Sequence, residues 1–438
     1  MSPSAEATNG TNLTEAAVAK NLAKANASLA SDNVAKVTAP NGTNGVSHAP
    51  AGLDASLLTY KLTPNLPPLD FANIPKTANI CTDHMITCRW TSSTGWQAPA
   101  LVPYGPLSIM PNASVLHYAT ECFEGLKLYR GFDNKLRLFR PSRNCKRMLV
   151  SAARIALPSF DVEQLLTLIK KLCAVDGARW LPRDVAKGGF LYLRPTLIAD
   201  FPSLGVQRPQ SALLYILLSQ FPSMAKPGGL RLMASSEDTI RAHEGGWGFA
   251  KVGANYGPTL AASDEARERG YDQVLWLLPN RTGGKTVMEV TEAGASNFFV
   301  VLRAKEGGGV KLVTAPIEQK VILDGVTRRS ILDLAAERLS SKGEASRFGL
   351  EAVDIQERKI DMQEIVEAVA EGRIVEAFAA GTAYFVSAVS VVHFQGQDLQ
   401  MPMSKGDTGA YAEQFKTWLA DIMYGNEEHE WGVVVDEE

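Results

Sequence analysis

Cysteine is scarce in this 438-residue sequence. There are five, Cys81, Cys88, Cys122, Cys145 and Cys173, with no CxxC spacing and none after Cys173. An odd count without paired spacing excludes a disulfide framework or a structural zinc site as the organising device, and it makes a reducing compartment the default. Excess charge is lacking too: Lys+Arg total 44 and Asp+Glu 47, a formal net charge of −3. A nucleic-acid binder normally carries a basic surplus or a basic block, so no nucleic-acid partner is expected. No uninterrupted apolar run reaches about 18 residues, which predicts no membrane-spanning helix. A Walker A motif is missing, the glycine-rich stretches do not fit a dinucleotide fingerprint, and no internal repeat is detectable.

From Met1 to about Ala51 the sequence has no Phe, Trp, Tyr or Arg. Such a segment cannot bury enough apolar surface to offset its ordering entropy, so residues 1–55 are expected to form a disordered tail. Mitochondrial transit peptides are Arg-rich and secretory signals have an apolar core; this tail has neither, which favours the cytoplasm over mitochondria and argues against secretion.

The remainder has ordinary globular composition, 45% hydrophobic and 21% charged over the whole chain. Ser114–Tyr118 (SVLHY) and Lys135–Phe139 (KLRLF) read as short strands, and Ala212–Leu218 (ALLYILL) as a buried one. Val162, Leu165, Leu166, Ile169, Leu172 and Cys173 recur at helical spacing. Residues 221–229 (FPSMAKPGG) break the pattern. They suggest a small α/β domain over 56–222, an interdomain loop over 223–232 and a large domain over 233–438. In the second half, Thr259–Arg269 reads as a helix ending at Gly270, Gln273–Leu278 as a strand, and Asn280–Gly284 as a turn. Val287–Thr291 and Asn297–Leu302 read as strands, and the segments around Ile331 and Phe415 as helices. Helices mixed irregularly with hairpins imply an α+β arrangement rather than regular βαβ winding.

One lysine stands out. Lys251 lies in Gly245–Gly257 (GGWGFAKVGANYG), with no other charge between Glu244 and Asp264. Small and apolar neighbours lower an amine's pKa by desolvation, and a neutral amine can condense with the aldehyde of pyridoxal phosphate. On local composition alone a solvated surface lysine is the commoner case. That cofactor would also need a carboxylate for its ring nitrogen, backbone amides for its phosphate and a donor for its phenolic oxygen. Glu292, Gly325-Val326-Thr327 at a helix start, and Tyr256 are candidates. Taken singly, Glu292 could be a turn residue and Thr327 an ordinary helix cap.

Taken together, the segments resemble a known family. In order they are Thr82-Asp83-His84-Met85, Leu116-His117-Tyr118, Phe123-Glu124-Gly125-Leu126-Lys127, Leu138-Phe139-Arg140-Pro141, Leu191-Tyr192-Leu193-Arg194-Pro195, Lys251-Val252-Gly253-Ala254-Asn255-Tyr256-Gly257, Gln273-Val274-Leu275-Trp276, Thr291-Glu292-Ala293-Gly294, Gly325-Val326-Thr327-Arg328, Gly381-Thr382-Ala383 and Asp421-Ile422-Met423-Tyr424-Gly425. From about Ile80 to Trp431 the chain resembles the eukaryotic branched-chain amino acid aminotransferases, pyridoxal-phosphate enzymes of fold type IV. The resemblance implies a two-domain α+β fold and a homodimer. It implies amino-group exchange between leucine, isoleucine or valine and 2-oxoglutarate, and pyridoxal 5′-phosphate as cofactor without a metal. By position it implies Lys251 as the cofactor-bearing, proton-moving amine. Glu292 would meet the ring nitrogen and Tyr256 the phenolic oxygen. Arg147, Val326, Thr327 and Thr382 would hold the phosphate, and Tyr118, Tyr192, Arg194 and Ala383 would frame the substrate, with Arg194 facing the side-chain carboxylate of glutamate. Tyr118 and Tyr192 could equally be core aromatics.

Several positions depart from the family pattern. Ala293-Gly294-Ala295-Ser296-Asn297 replaces Val-Gly-Thr-Met-Asn, losing a hydroxyl at Ala295. Ala379-Ala380-Gly381-Thr382-Ala383 replaces Gly-Ser-Gly-Thr-Ala. Tyr384 and Ser387 stand where mammalian members carry a redox CxxC, which excludes that thiol switch. Ser219–Met224, His243 and Cys81 also differ from the usual residues. Kept catalytic groups with altered pocket positions raise the expectation of a paralogue with shifted amino-acid preference. Other readings are a D-amino acid aminotransferase or aminodeoxychorismate lyase of the same fold, and an inactive member acting as a scaffold.

Overall fold

The computed structural model describes residues 50–437 except 65, 67, 70–79, 184–186, 222–225, 283, 306, 341–342 and 384. Residues 1–49 of the expected tail and 223–225 of the expected interdomain loop therefore lie outside the described residues, as does Tyr384. The last residues of that expected tail are not disordered. Ala51 bridges Gly95, Leu53 and Ala55 are buried, and the Asp54 carboxylate accepts the Ser56 amide at 2.9 Å. Leu53 supplies the apolar anchor that the segment before it lacks.

Two sheets dominate. The first has ten strands, with the main order Thr59–Tyr60, Ala100–Pro103, Ile80–Thr91, Ser211–Gln220, Phe190–Ile198, Leu126–Arg130, Leu136–Phe139 and Gly432–Val435. Glu121–Phe123 pairs with Phe190–Ile198 outside this path. The second has nine strands, and six of them form a closed circuit: Lys285–Ala293, Gln273–Thr282, Leu230–Ala234, Phe385–Phe394, Ile374–Gly381, Ser296–Arg303 and back to Lys285–Ala293. Closure is made by Glu292 opposite Asn297 and Ala293 opposite Ser296, which leaves no free edge there. Leu230–Ala234, partly inside the expected loop 223–232, is thus a strand of the second sheet. Gly432–Val435 returns to the first sheet, a connection that a linear division at 233–438 does not contain.

Helices α1 (Ser114–Tyr118), α2 (Pro141–Arg154) and α3 (Val162–Trp180) belong to the first half. In the second half are α4 (Leu260–Glu268), α5 (Val326–Arg338), α6 (Met362–Ala370) and α7 (Ala410–Tyr424). The apolar spacing of 162–173 does make a helix. Asp161 caps it, accepting the amides of Glu163 and Gln164 at 2.8 and 3.1 Å. Leu165, Leu168, Ile169 and Leu172 are fully buried in the core of the first sheet with Ile86, Leu193 and Ile216. A second core joins Tyr129 and Phe139 of the first sheet to Phe299, Phe378, Phe415 and Ile331, so the two halves share buried apolar surface. Burial of each such side chain is worth about 1.5–3 kcal/mol, more than an exposed ion pair contributes, so these cores rather than surface charges hold the halves together.

Two expectations are corrected. Ser114–Tyr118 is a helix, not a strand: the amides of Ser114 and Val115 donate to the Phe201 and Ala199 carbonyls, and the turn ends on Ala119 at φ 49°. Asn280–Gly284 is not a turn throughout, because the strand continues to Thr282, which pairs with Lys285.

Candidate active site

The backbone of Lys251 is pinned from two sides. Its amide donates to Ser151 Oγ on α2 at 2.8 Å, and its carbonyl accepts the Phe123 amide at 3.1 Å. Asn255 Nδ2 donates to the carbonyls of Trp247 and Ala250 at 3.0 and 2.8 Å and closes the glycine-rich loop on itself. A 3₁₀ turn over Gly253–Asn255 then swings Tyr256 round, so that Lys251 Nζ lies 2.9 Å from Tyr256 Oη. Nζ is also 4.8 Å from the Phe123 ring centroid. Burial, with Arg147 adding like charge and Glu124 opposing it, lowers the Lys251 amine to about 8. Burial, with the Glu292 charge nearby, pushes the Tyr256 phenol up to about 12.

Glu292 ends its strand where the circuit closes. Its Oε1 accepts the Leu323 amide at 3.1 Å and Asn297 Nδ2 at 3.2 Å, and its Oε2 pairs with Arg241 Nη2 at 2.7 Å. Both members of that pair are buried. Burial raises the Glu292 carboxyl above its ordinary value, and Arg241 opposes the rise. Arg241 is itself steadied by the Val321 carbonyl at 3.0 Å, while its Nε is buried without an acceptor. Arg241, Tyr256, Trp276, Glu292, Ala295 and Leu323 line a cavity of about 100 Å³.

A cationic corner lies beyond. Arg147 Nε and Nη2 bind both oxygens of Glu124 at 2.7 and 2.8 Å, and Nη1 donates to the Asp324 carbonyl at 2.9 Å. Burial alone would lower the Arg147 guanidinium, but the Glu124 carboxylate more than offsets it and holds it charged. Asn144 Nδ2 donates to Glu124 at 2.8 Å and fixes the acid in turn. Asp324 leads into α5, whose N-cap is Gly325, and no side chain caps the first amides, those of Val326 and Thr327. Only glycine fits at 325, because a Cβ there would stand 2.1 Å from Asn297 Oδ1. Thr382 and Ala383 form the turn after Ile374–Gly381.

The opposite wall comes from the first sheet. Arg194 Nη2 donates to Tyr192 Oη at 3.2 Å, and the Arg194 guanidinium lies 4.6 Å from the Phe123 ring. Phe123 is itself 5.0 Å from the Tyr256 ring, so one aromatic touches the lysine, the phenol and the arginine. Tyr192 reaches in because residue 125 is glycine: a Cβ there would lie 2.0 Å from its hydroxyl. Phe221 stacks on Tyr192 at 4.9 Å. Lys127 Nζ donates to the Ala383 carbonyl at 3.4 Å and links this wall to the turn. Tyr118 is the exception: it is 39% exposed at the end of α1, and its hydroxyl donates to the Leu204 carbonyl rather than joining the cluster.

Residues 121–389 match the family model for amino-transferase class IV. The chain is 43% identical over 359 residues to the cytosolic branched-chain-amino-acid aminotransferase of Saccharomyces cerevisiae, covering 81% of this chain and 90% of that protein. It is 38% identical over 389 residues to the mitochondrial branched-chain-amino-acid aminotransferase of Schizosaccharomyces pombe, covering 88% and 86%. The chain belongs to the branched-chain-amino-acid aminotransferase family of amino-transferase class IV. The fold is shared with the branched-chain aminotransferase of Thermobaculum terrenum in its PLP form, at TM-score 0.60, 21% identity and coverage of 81% and 99%.

Within this aminotransferase fold, sequence reasoning overlooked Glu124, Ser151, Arg241 and Asn297. Glu124 stood inside a quoted motif and Arg241 beside a noted departure. Their partners, at 147 and 292, are 23 and 51 residues away, so spacing alone gave no sign. Of the departures, Ala295 borders the cavity, while Ala379 and Ala380 are buried strand residues opposite Phe298 and Asn297.

Proposed function

We propose that the protein exchanges the amino group of L-leucine, L-isoleucine or L-valine with 2-oxoglutarate, giving branched 2-oxo acids and L-glutamate and running in reverse, with pyridoxal 5′-phosphate as cofactor. The observation that carries the reading is Lys251 Nζ at 2.9 Å from the Tyr256 hydroxyl, beside a cavity bounded by Tyr256 and the buried Glu292. The residues fit that cofactor. Among the described residues no side chain caps the first amides of α5, and Glu292 Oε2 accepts from Arg241 alone and keeps a lone pair. When bound, the cofactor supplies an aldehyde and an electron-poor ring that draws off the electron pair left at the substrate Cα.

The chain's own groups do the rest. Lys251 Nζ takes the proton from Cα and would deliver it to the carbon of the cofactor's former aldehyde, and an amine near 8 suits that work near neutrality. Tyr256 orients Nζ and would donate to the phenolic oxygen. Glu292, braced by Arg241, would meet the ring nitrogen. Arg147 with the Val326 and Thr327 amides and Thr382 would hold the phosphate. Tyr192, Arg194 and the Ala383 backbone frame the substrate. Phe123 gives that pocket an apolar face.

The branched-chain names of the relatives support this reading over shifted preference, D-amino acid or lyase chemistry, or a scaffold role. The test is a donor panel with 2-oxoglutarate as acceptor. We expect leucine, isoleucine and valine to exceed methionine and aromatic donors by at least about tenfold in kcat/KM, the order of one well-placed apolar contact. A protein that moves no amino group from any L-donor would overturn the proposal.

A homodimer is part of the same proposal. Met110, Leu116, Leu204 and Val206 are 60%, 59%, 61% and 86% exposed, and Tyr118 ties the two segments that carry them. A subunit contact there would bury them and bring Tyr118 to a shared site; light scattering at the mass of a single 47.3 kDa chain would refute it. Relatives bear cytosolic and mitochondrial names, and among the described residues no helix is long and apolar enough to cross a membrane. From its arginine-free first 50 residues we place this chain in the cytosol. Import of a reporter carrying residues 1–55 into mitochondria would contradict that.

A further inference from the structure

The wall that carries Tyr192 and Arg194 bears a third polar side chain, Lys127. It lies directly opposite Tyr192 on the neighbouring antiparallel strand. Directly opposed residues project from the same face, and Arg194, two residues along, shares that face at a diagonal spacing of about 7–8 Å. Lys127 is only 7% exposed. Its ammonium donates to the Ala383 carbonyl at 3.4 Å and lies over the Phe190 ring, 4.1 Å from the centroid. Among the described residues no carboxylate pairs with Lys127 or with Arg194, whose Nε is also buried without an acceptor. Buried cations are normally neutralised. Here burial lowers the Lys127 ammonium to about 8 with no acid to oppose it. A carbonyl and a ring face do not replace a counter-charge, so among the described residues the wall holds two cations with no acid paired to either. A branched aliphatic substrate offers these cations no partner. A dicarboxylic acid does.

We propose that Lys127 is a specificity-determining residue for the dicarboxylic partner of the reaction: together with Arg194 it receives the distal carboxylate of glutamate or 2-oxoglutarate beside the Tyr192 phenol. The inference rests on the transamination proposed above and adds a second cation to it. The geometry suits one pocket with two kinds of guest. An apolar side chain can lie against Phe123 and Tyr192 while the ammonium stays on the Ala383 carbonyl. An acidic side chain draws the ammonium off that weak contact into a charged hydrogen bond.

The test uses holoenzyme of wild type, Lys127→Met and Lys127→Arg. Each half-reaction is followed alone by cofactor absorbance, with glutamate and with leucine. In Lys127→Met we expect kcat/KM for glutamate to fall about ten- to a hundredfold, the value of one charged hydrogen bond, chiefly through KM. Leucine should lose no more than about threefold, because its side chain lies against Phe123 and Tyr192 and the variant takes from it only the long 3.4 Å link between Lys127 and the Ala383 carbonyl. Lys127→Arg should recover most of the glutamate loss, which a merely structural role would not produce. Equal losses for both substrates, or an unchanged glutamate value, overturn the inference while the transamination stands. A wild type that accepts neither substrate overturns both. Because the methionine variant removes an unpaired buried charge, its melting temperature should not fall, and this separates a binding defect from misfolding.

Discussion

Lys251→Ala abolishes amino transfer, with turnover down by about 10⁴-fold or more, and the protein no longer holds pyridoxal phosphate in a form that borohydride can fix to the chain. The size of the effect follows from the geometry. Nζ is within contact distance of Tyr256 Oη and of the Phe123 ring, and no second lysine joins that contact set among the described residues. Lys251→Arg does not rescue, because a guanidinium stays charged and cannot attack a carbonyl. The fold survives the change: the Lys251 amide and carbonyl bonds to Ser151 and Phe123 are made by the backbone, and alanine keeps both. The amine's position near 8 adds a pH signature. Its pKa is depressed, so between about 8 and the ordinary lysine value the unfolded chain holds a proton that the folded chain has lost. Relative to the alanine variant, cofactor-free wild type should therefore gain stability as pH rises through that window and lose that increment as pH falls back through 8; the buried thiols, raised by burial, act in the opposite sense equally in both proteins. The alanine variant should lack the Lys251 share of this dependence and keep the share of Lys127, whose ammonium burial also lowers to about 8. Melting curves across the range check it, and parallel curves for the two proteins would show that the amine is not buried as described.

What could be read in advance depended on how local its causes are. The α3 helix was legible because its apolar repeat and its Asp161 cap lie within one segment. Ser211–Gln220 was legible because seven apolar residues in a row bounded by polar ones suit a central strand. Ser114–Tyr118 was misread because the amides that start α1 find their acceptors at 199 and 201, more than 80 residues on. The closed circuit of the second sheet was invisible for the same reason: it depends on which strand meets which, and Glu292 opposite Asn297 is a short hairpin that only the rest of the circuit makes a closure. In the site, Lys251, Tyr256 and Glu292 could be named from their chemistry. The residues that brace this cluster, Arg241 behind Glu292 and Glu124 behind Arg147, are ordinary charged residues until the fold buries them in pairs.

The Glu292–Arg241 pair yields the second large effect, and it separates structure from chemistry. Glu292→Gln keeps the side chain's shape and removes its charge. Arg241, 7% exposed at its side chain, is then left buried with neutral acceptors in place of its counter-charge, the glutamine amide oxygen and the Val321 carbonyl. Breaking a buried pair from one side costs about 3–5 kcal/mol, so the single variant should melt markedly lower. Turnover should fall as well, by about 10²–10³-fold, if the carboxylate is the group that meets the ring nitrogen. A loss of both kinds leaves open which came first. The double variant Glu292→Gln with Arg241→Met decides. Removing both charges relieves the unpaired guanidinium, so stability should return most of the way to wild type. Activity should not return, because the negative charge facing the ring is still missing. Were turnover restored together with stability, Glu292 would be no more than the counter-ion of Arg241, and the electron sink would need another carboxylate than this one. Both glutamine variants keep Lys251 and Tyr256, so cofactor fixed by borohydride in each confirms that the loss lies in proton transfer at Cα and not in an empty site.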